Sequence, residues 1–195
     1  LFNKCLCFNL GVFLNKNSKN FIFHDIDCLI QSDFFINLVK NIEIKKCRAI
    51  QCFTDRRVLY LTEKLTSDVI NKKISVDDLN VNLSDVHYPL QFGAPGGSLM
   101  INRDVFFDAG GYDPELFAGN SPEDAFFWTK ANLITPIEIS NNPIIEIYHM
   151  NHRPTYYDNP FYDIMGKINS DFQNSSLEEK QQYILFKSNL IQQYK

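Results

Sequence analysis

Apolar positions recur along this chain with two periods, and the switches between them mark its elements. Phe2, Leu6, Leu10 and Phe13 fall on one stripe of a helix over 2–15, with Gly11 as its weak point. A polar turn from Asn15 to Asn20 follows. Phe21, Ile22 and Phe23 then form an unbroken apolar run, which predicts a buried strand over 21–26. Ser32 is placed to cap a helix through about Val39, with Phe34, Phe35, Leu38 and Val39 inward. Ala49 to Phe53 reads as a strand. Thr54 is placed to cap a helix in which Val58, Leu61, Leu65 and Val69 recur at helical spacing.

Residues 71–86 are polar and predict a surface excursion. Phe92-Gly-Ala-Pro-Gly-Gly97 is the sharpest punctuation, and Ser98 to Ile101 reads as a short strand after it. Asn102 is placed to cap a helix over Asp104–Ala109 that Gly110 and Gly111 end. Pro122 suits the first position of a helix over 122–132. A strand pair is expected at 136–140 and 143–148. Ser176-Leu-Glu-Glu179 is a capping box that opens a C-terminal helix over 176–195, docked through Leu177, Ile184, Leu185 and Ile191. Strands and helices alternate, so the class is α/β. With no repeat and no linker, one domain over 1–195 is expected.

Composition narrows the function. The 195 residues are 45% apolar and 14% aromatic, enough for a real core. The net charge is −4 and no basic stripe carries interleaved aromatics, so nucleic acid is not the expected partner. Cys5, Cys7, Cys28, Cys47 and Cys52 are odd in number and include no Cys-x-x-Cys pair. That pattern predicts reduced thiols in a reducing compartment. No apolar run is long enough to span a bilayer and no signal pattern opens the chain. A cytoplasmic location follows, with any membrane association peripheral.

Four groups carry candidate chemistry. Asp25 and Asp27 close the apolar run 21–23, where the carboxyl end of a sheet strand meets a ligand crevice. Two hard oxygen ligands there suit a divalent cation that holds a phosphate-bearing substrate. Gly93-Ala-Pro-Gly-Gly97 lets backbone approach a ligand closely, although an ordinary turn would use the same residues. Glu123 and Asp124 follow Pro122 at a helix start. Acids there complement the helix dipole, or one of them serves as a general base. His149 and His152 follow a strand, and two imidazoles at such a turn suit a borderline divalent metal. His24 and His87 lack such a context and read as structural or surface residues.

The stretch Gly96-Gly-Ser-Leu-Met-Ile-Asn-Arg-Asp-Val-Phe-Phe-Asp-Ala-Gly-Gly-Tyr-Asp113, followed by Glu123-Asp124, resembles the galactosyltransferase-type C-terminal motif of GT-A glycosyltransferases. Members include β-1,4-galactosyltransferases, polypeptide N-acetylgalactosaminyltransferases and bacterial family-2 chondroitin-synthase-like enzymes. The resemblance covers about residues 2–155. It implies a GT-A-like mixed sheet flanked by helices. It also implies metal-dependent, inverting transfer of a hexose or N-acetylhexosamine from a UDP-sugar to a hydroxyl of a glycan or other acceptor.

Residue by residue, Asp25 and Asp27 match the family's Asp-x-Asp, whose second acid binds Mn²⁺, with Mg²⁺ as the alternative. The remaining protein ligand would come from His149 or His152. A Met-x-x-His arrangement favours His152, while the His-x-x-His of bacterial relatives admits both. Gly96 and Gly97 match glycines that line the donor-sugar pocket. Glu123 matches a sugar-hydroxyl binder, and Asp124 matches the catalytic base.

Three departures accompany the match. Asn120-Ser-Pro122 replaces a Trp-Gly-Gly, and Phe126 stands where the family often has a further Asp. Only 24 residues precede Asp25, where GT-A enzymes place their nucleotide-binding βαβ units. Either that N-terminal portion is lacking, or another chain supplies it, or the protein is a degenerate fragment; an exposed N-terminal sheet edge would invite association. Acceptor contacts are expected from 71–86 and 153–175. Tyr156, Tyr157, Phe161 and Tyr162 are expected to anchor the C-terminal segment, with sugar stacking as the other use. Two rival functions remain: a pseudoenzyme that keeps the scaffold, and a metal-dependent phosphoesterase or nucleotidyltransferase.

Overall fold

The computed structural model describes residues 2–54, 58–79, 95–141, 145–152 and 158–195. The chain gathers into two compact units. One comprises Leu1–Ile22, Met100–Ile137 and Pro154–Lys195, and the other Phe23–Leu99 and Glu138–Arg153. The class is α/β, with mixed sheets and seven α-helices among the described residues, consistent with a GT-A-like fold.

In the second unit, strand β1 (Asn20–His24) enters from the first, and β2 (Cys28–Leu29) follows a tight turn. Helix α2 (Phe34–Lys45), β3 (Ala49–Gln51), β4 (Val58–Tyr60) and α3 (Glu63–Ile70) come next. A 3₁₀ turn at Val76–Asp78, β5 (Ser98–Asn102, which passes into the first unit at Met100), β6 (Glu138–Ile139) and β7 (Ile147–His149) complete the list. One sheet has the order β1-β5-β3-β6, the other β2-β7-β4. In the second sheet β7 pairs antiparallel with β2 and parallel with β4.

Side chains alternate across β7 and pack two clusters. Ile147 joins Cys28, Phe53 and Val58, while Tyr148 joins Leu59, Leu61 and Leu79. His149 therefore lies on the Ile147 side of the strand.

The first unit holds helix α1 (Lys4–Leu14), α4 (Arg103–Asp108), α5 (Glu123–Ile134), α6 (Tyr162–Asn174) and α7 (Leu177–Ile191), with a 3₁₀ turn at Gln192–Tyr194. Its core is aromatic: Phe106, Phe107, Phe117, Phe126 and Phe127 are all buried. A charged cluster sits within it. Asp113, 1% exposed, meets Lys130 Nζ at 2.5 Å, Lys187 Nζ at 3.0 Å and the Tyr183 hydroxyl at 2.7 Å. Lys130 is fully buried and also donates to the Gly111 carbonyl. Burial lowers the Lys130 pKa, and Asp113 opposes that effect.

Several sequence expectations change. Val58–Tyr60 is a strand, and the helix after it starts at Glu63 under a Thr62 cap. Thr54 instead accepts a hydrogen bond from the Ile145 N–H through its hydroxyl. The stripe of α1 is rotated: Cys5, Asn9 and Val12 are buried, and Phe2, Leu6 and Leu10 are exposed. In α2, which runs on to Lys45, Phe34 and Leu38 face inward but Phe35 and Val39 do not. Ser32 gives that helix no cap, since Asp33 occupies the N-cap position.

The strands expected as a pair separate. β6 pairs with β3, while β7 belongs to the other sheet. Much of 153–175 is helix α6 rather than loop, and Phe161 and Tyr162 at its start are largely exposed. Helix α7 carries the capping box, yet Leu177 and Leu185 face outward and Ile184 docks. Residues 80–86, His87, Gly93, Tyr156 and Tyr157 lie outside the described residues.

Candidate active site

The turn between β1 and β2 is closed by the Cys28 N–H donating to the Asp25 carbonyl at 3.0 Å. Beyond it, the Met150 N–H donates to the Asp27 carbonyl at 2.9 Å, which extends the β2–β7 pairing. Asp27 and His149 are thus fixed by the same backbone ladder. The Asp27 carboxylate lies 3.0 Å from His152 Nε2 and 3.5 Å from His149 Nε2.

Three neighbours orient the imidazoles. The Tyr60 ring, in register with His149, stacks on it with centroids 4.5 Å apart. His149 Nδ1 lies 2.7 Å from the Met150 carbonyl, which only accepts, so Nδ1 carries the proton. The Asn151 N–H donates to Thr66 Oγ1 at 2.8 Å and ties the His149–His152 segment to α3. Burial, and then the charges around Cys28, Asp27 and Asp25, raise the Tyr60 pKa and keep its phenol neutral.

With Nδ1 engaged by the Met150 carbonyl, Nε2 is the His149 atom that faces the Asp27 carboxylate oxygen. One carboxylate and two imidazoles whose ligand atoms lie within 4.8 Å of one another fit a borderline divalent ion. The imidazole anchored through its other nitrogen to a carbonyl is the usual support for such a ligand. Asp25, Asp27 and the buried Cys28 form an adjoining group of the same span.

The glycine turn lies beside this set. The Asp25 N–H donates to the Gly97 carbonyl at 3.0 Å. Gly97 has φ +88°, a conformation that side chains disfavour, and it abuts Phe53 and Ile147. Gln51, buried at the end of β3, donates through its side chain to the carbonyls of Gly96 (3.0 Å) and Ser98 (2.9 Å). Gln51, Tyr60 and Thr66 carry no motif, and nothing in the sequence pattern marked them.

Glu123 and Asp124 belong to the other unit, in the first turn of α5. Lys4 Nζ sits 2.5 Å from Glu123 and 2.8 Å from Asp124. The Tyr112 hydroxyl donates to Asp124 at 3.3 Å, and Ser121 donates to Glu123 at 2.7 Å. Glu123 is 5% exposed; burial first, and then Asp124, raise its pKa, while Lys4 pulls it down. Phe126, in place of the further acid, is buried between Phe117 and Phe172.

The family described as "Glycosyltransferase like family 2" matches residues 1–158. The chain belongs to this family. No curated protein matches it. As a family-2 glycosyltransferase domain it is assigned to glycosyl transfer, the movement of a sugar from a donor to an acceptor. Within that family-2 frame the two acidic groups have distinct surroundings. Asp27 faces imidazoles in one unit, and Asp124 faces an ammonium and a phenol in the other.

Proposed function

We propose that the chain moves a hexose or N-acetylhexosamine from a UDP-linked donor to a hydroxyl of a glycan or other acceptor, with inversion. Asp27, His149 and His152 would hold Mn²⁺ or Mg²⁺, and the observation that carries this is the carboxylate flanked by two imidazoles at 3.0 and 3.5 Å. The cation, when bound, neutralises the charge that develops on the departing diphosphate.

The chain's own residues supply the rest. Asp25 and the Gly96–Gly97 turn, joined through backbone, contact the donor. Gly97 leaves that turn without a Cβ, so a sugar can approach the main chain closely. Glu123 accepts from sugar hydroxyls. Asp124 takes the proton of the acceptor hydroxyl. The acceptor oxygen then bonds the anomeric carbon, and the bond from that carbon to the diphosphate oxygen breaks, its electron pair leaving with the nucleotide. Family membership and the matched Glu-Asp after Gly-Gly-Tyr support these roles.

Calorimetric titration of the chain with UDP tests the reading. Binding is expected with Mn²⁺, and loss of binding is expected with chelator or in Asp27→Ala. UDP binding that persists without metal, or in Asp27→Ala, would remove the metal assignment. Binding without turnover would favour a scaffold that has lost catalysis.

A further inference from the structure

The acidic pair on α5 is held by a residue about 120 positions earlier in the sequence. Lys4 contacts one oxygen of each carboxylate, Glu123 Oε1 and Asp124 Oδ2. Its position is fixed on several sides. Asn3 caps α1 by accepting from the Leu6 N–H and donates to the Pro114 carbonyl at 2.9 Å. The Gly119 N–H donates to the Phe2 carbonyl at 2.6 Å. Asn9, one turn on, bonds both the N–H and the carbonyl of Tyr112. Tyr112 in turn stacks on Phe127 of α5 at 4.2 Å and donates to Asp124. The start of α1, the Tyr112 segment and the start of α5 thus form one braced group.

We propose that Lys4 is a positioning residue for Asp124: it holds the carboxylate in one orientation and in its proton-accepting form. This rests on the assignment of Asp124 as the base.

The charges around Asp124 decide the sign. Among the described residues, Glu123 faces it from α5, Lys4 and the Cys5 thiol from α1, and the Tyr112 phenol from the segment after α4. Burial raises the Cys5 pKa and keeps that thiol neutral near pH 7. Lys4 is an ammonium that touches both carboxylates. Without the ammonium, two adjacent anions repel, and the pair takes up a proton at a higher pH. The ammonium favours the ionised form of both carboxylates it touches, and the ionised form is the one that accepts a proton. A lysine that only packed α1 would leave that titration where it is.

The test compares wild type, Lys4→Gln, Lys4→Arg and Asp124→Asn as full chains. Lys4→Gln keeps a hydrogen-bond donor and removes the charge. Carbon-13 NMR of labelled aspartate follows the Asp124 carboxyl, identified by its absence in Asp124→Asn. Its titration is expected to rise by about one pH unit in Lys4→Gln and to return in Lys4→Arg. The acid limb of kcat/KM for sugar transfer is expected to move with it. A change below about a third of a unit overturns the proposal. If Lys4→Gln does not fold, Lys4→Met read by the same resonance serves instead. Asp124→Asn separates the two readings: transfer is expected to fall by roughly 10²- to 10⁴-fold. Transfer near the wild-type rate there would end the base assignment itself, whatever Lys4 does to the titration.

Discussion

His152 Nε2 lies 3.0 Å from Asp27 Oδ2, although 125 residues separate them in the chain. The backbone bond from Met150 to the Asp27 carbonyl makes that approach possible, because it fixes the start of the His149–His152 turn against the β1–β2 turn. Each imidazole then offers one nitrogen to a shared point. Removal of either is expected to weaken Mn²⁺ binding by about tenfold or more, equivalent to about 1.4 kcal/mol. Titration of His149→Ala and His152→Ala with Mn²⁺, followed by calorimetry or electron paramagnetic resonance, checks this. Wild-type affinity in either variant would strike that histidine from the ligand set.

Asp113 is expected to be the most sensitive charged position in the first unit. Asp113→Ala leaves Lys130 buried without its carboxylate, and Lys187 with Glu115 as its remaining acid partner among the bonds described. Breaking a buried pair in this way costs about 3–5 kcal/mol. Urea denaturation measures it. Replacing Asp113 and Lys130 together by apolar residues is expected to cost clearly less than Asp113→Ala alone.

The buried Glu123 gives the fold a pH dependence. Its folded pKa is raised above the ordinary 4.5, first by burial and then by Asp124. The folded state therefore binds its proton more tightly than the unfolded chain does. The associated stability is fully present below pH 4.5 and is lost as pH rises through the folded value. Glu123→Gln is expected to flatten this part of the stability profile, measured by thermal unfolding from pH 4 upward in buffers of low ionisation heat. An unchanged slope would mean that Lys4 and Ser121 fully offset the burial.

Two glycines with positive φ are expected to differ in tolerance. At Gly110 an added Cβ would lie 2.5 Å from the Lys187 Cβ and 3.0 Å from backbone of α7. At Gly97 the nearest atoms are 3.6 Å away. Gly97→Ala is expected to cost only the strain of a left-handed backbone, about 1–2 kcal/mol. Gly110→Ala adds overpacking of about 1–3 kcal/mol. Parallel thermal melts of the two variants compare them; equal melting temperatures would contradict the contact.

Much of the local structure could be read from the chain. The capping box at Ser176 and the Asn102 cap mark helix starts because each side chain answers a particular backbone N–H. The apolar run before Asp25 and the glycines after Phe107 were legible for similar local reasons. Facing was not. In α1 the apolar residues outnumber what one side of the helix buries, so Phe2 and Leu6 competed with Cys5 and Val12 for the inward stripe. Val58–Tyr60 satisfies both helical and strand spacing, and pairing with β7 decides it. The Asp27–His149–His152 set was legible as residue types. Tyr60, Thr66, Gln51 and Lys4 were not, because their roles arise from partners far away in sequence.

Strand β7 is held on both sides, by β2 and by β4, and this ties binding chemistry to folding. A slip of one residue would exchange His149 for Tyr148 or Met150 and turn Ile147 out of its cluster at the same time. The imidazole cannot be misplaced while the hydrophobic packing stays intact. A chain population with well-formed strands should therefore carry a uniformly assembled ligand set, and damaged copies should be visible as unfolded protein rather than as silent, folded, cation-blind molecules.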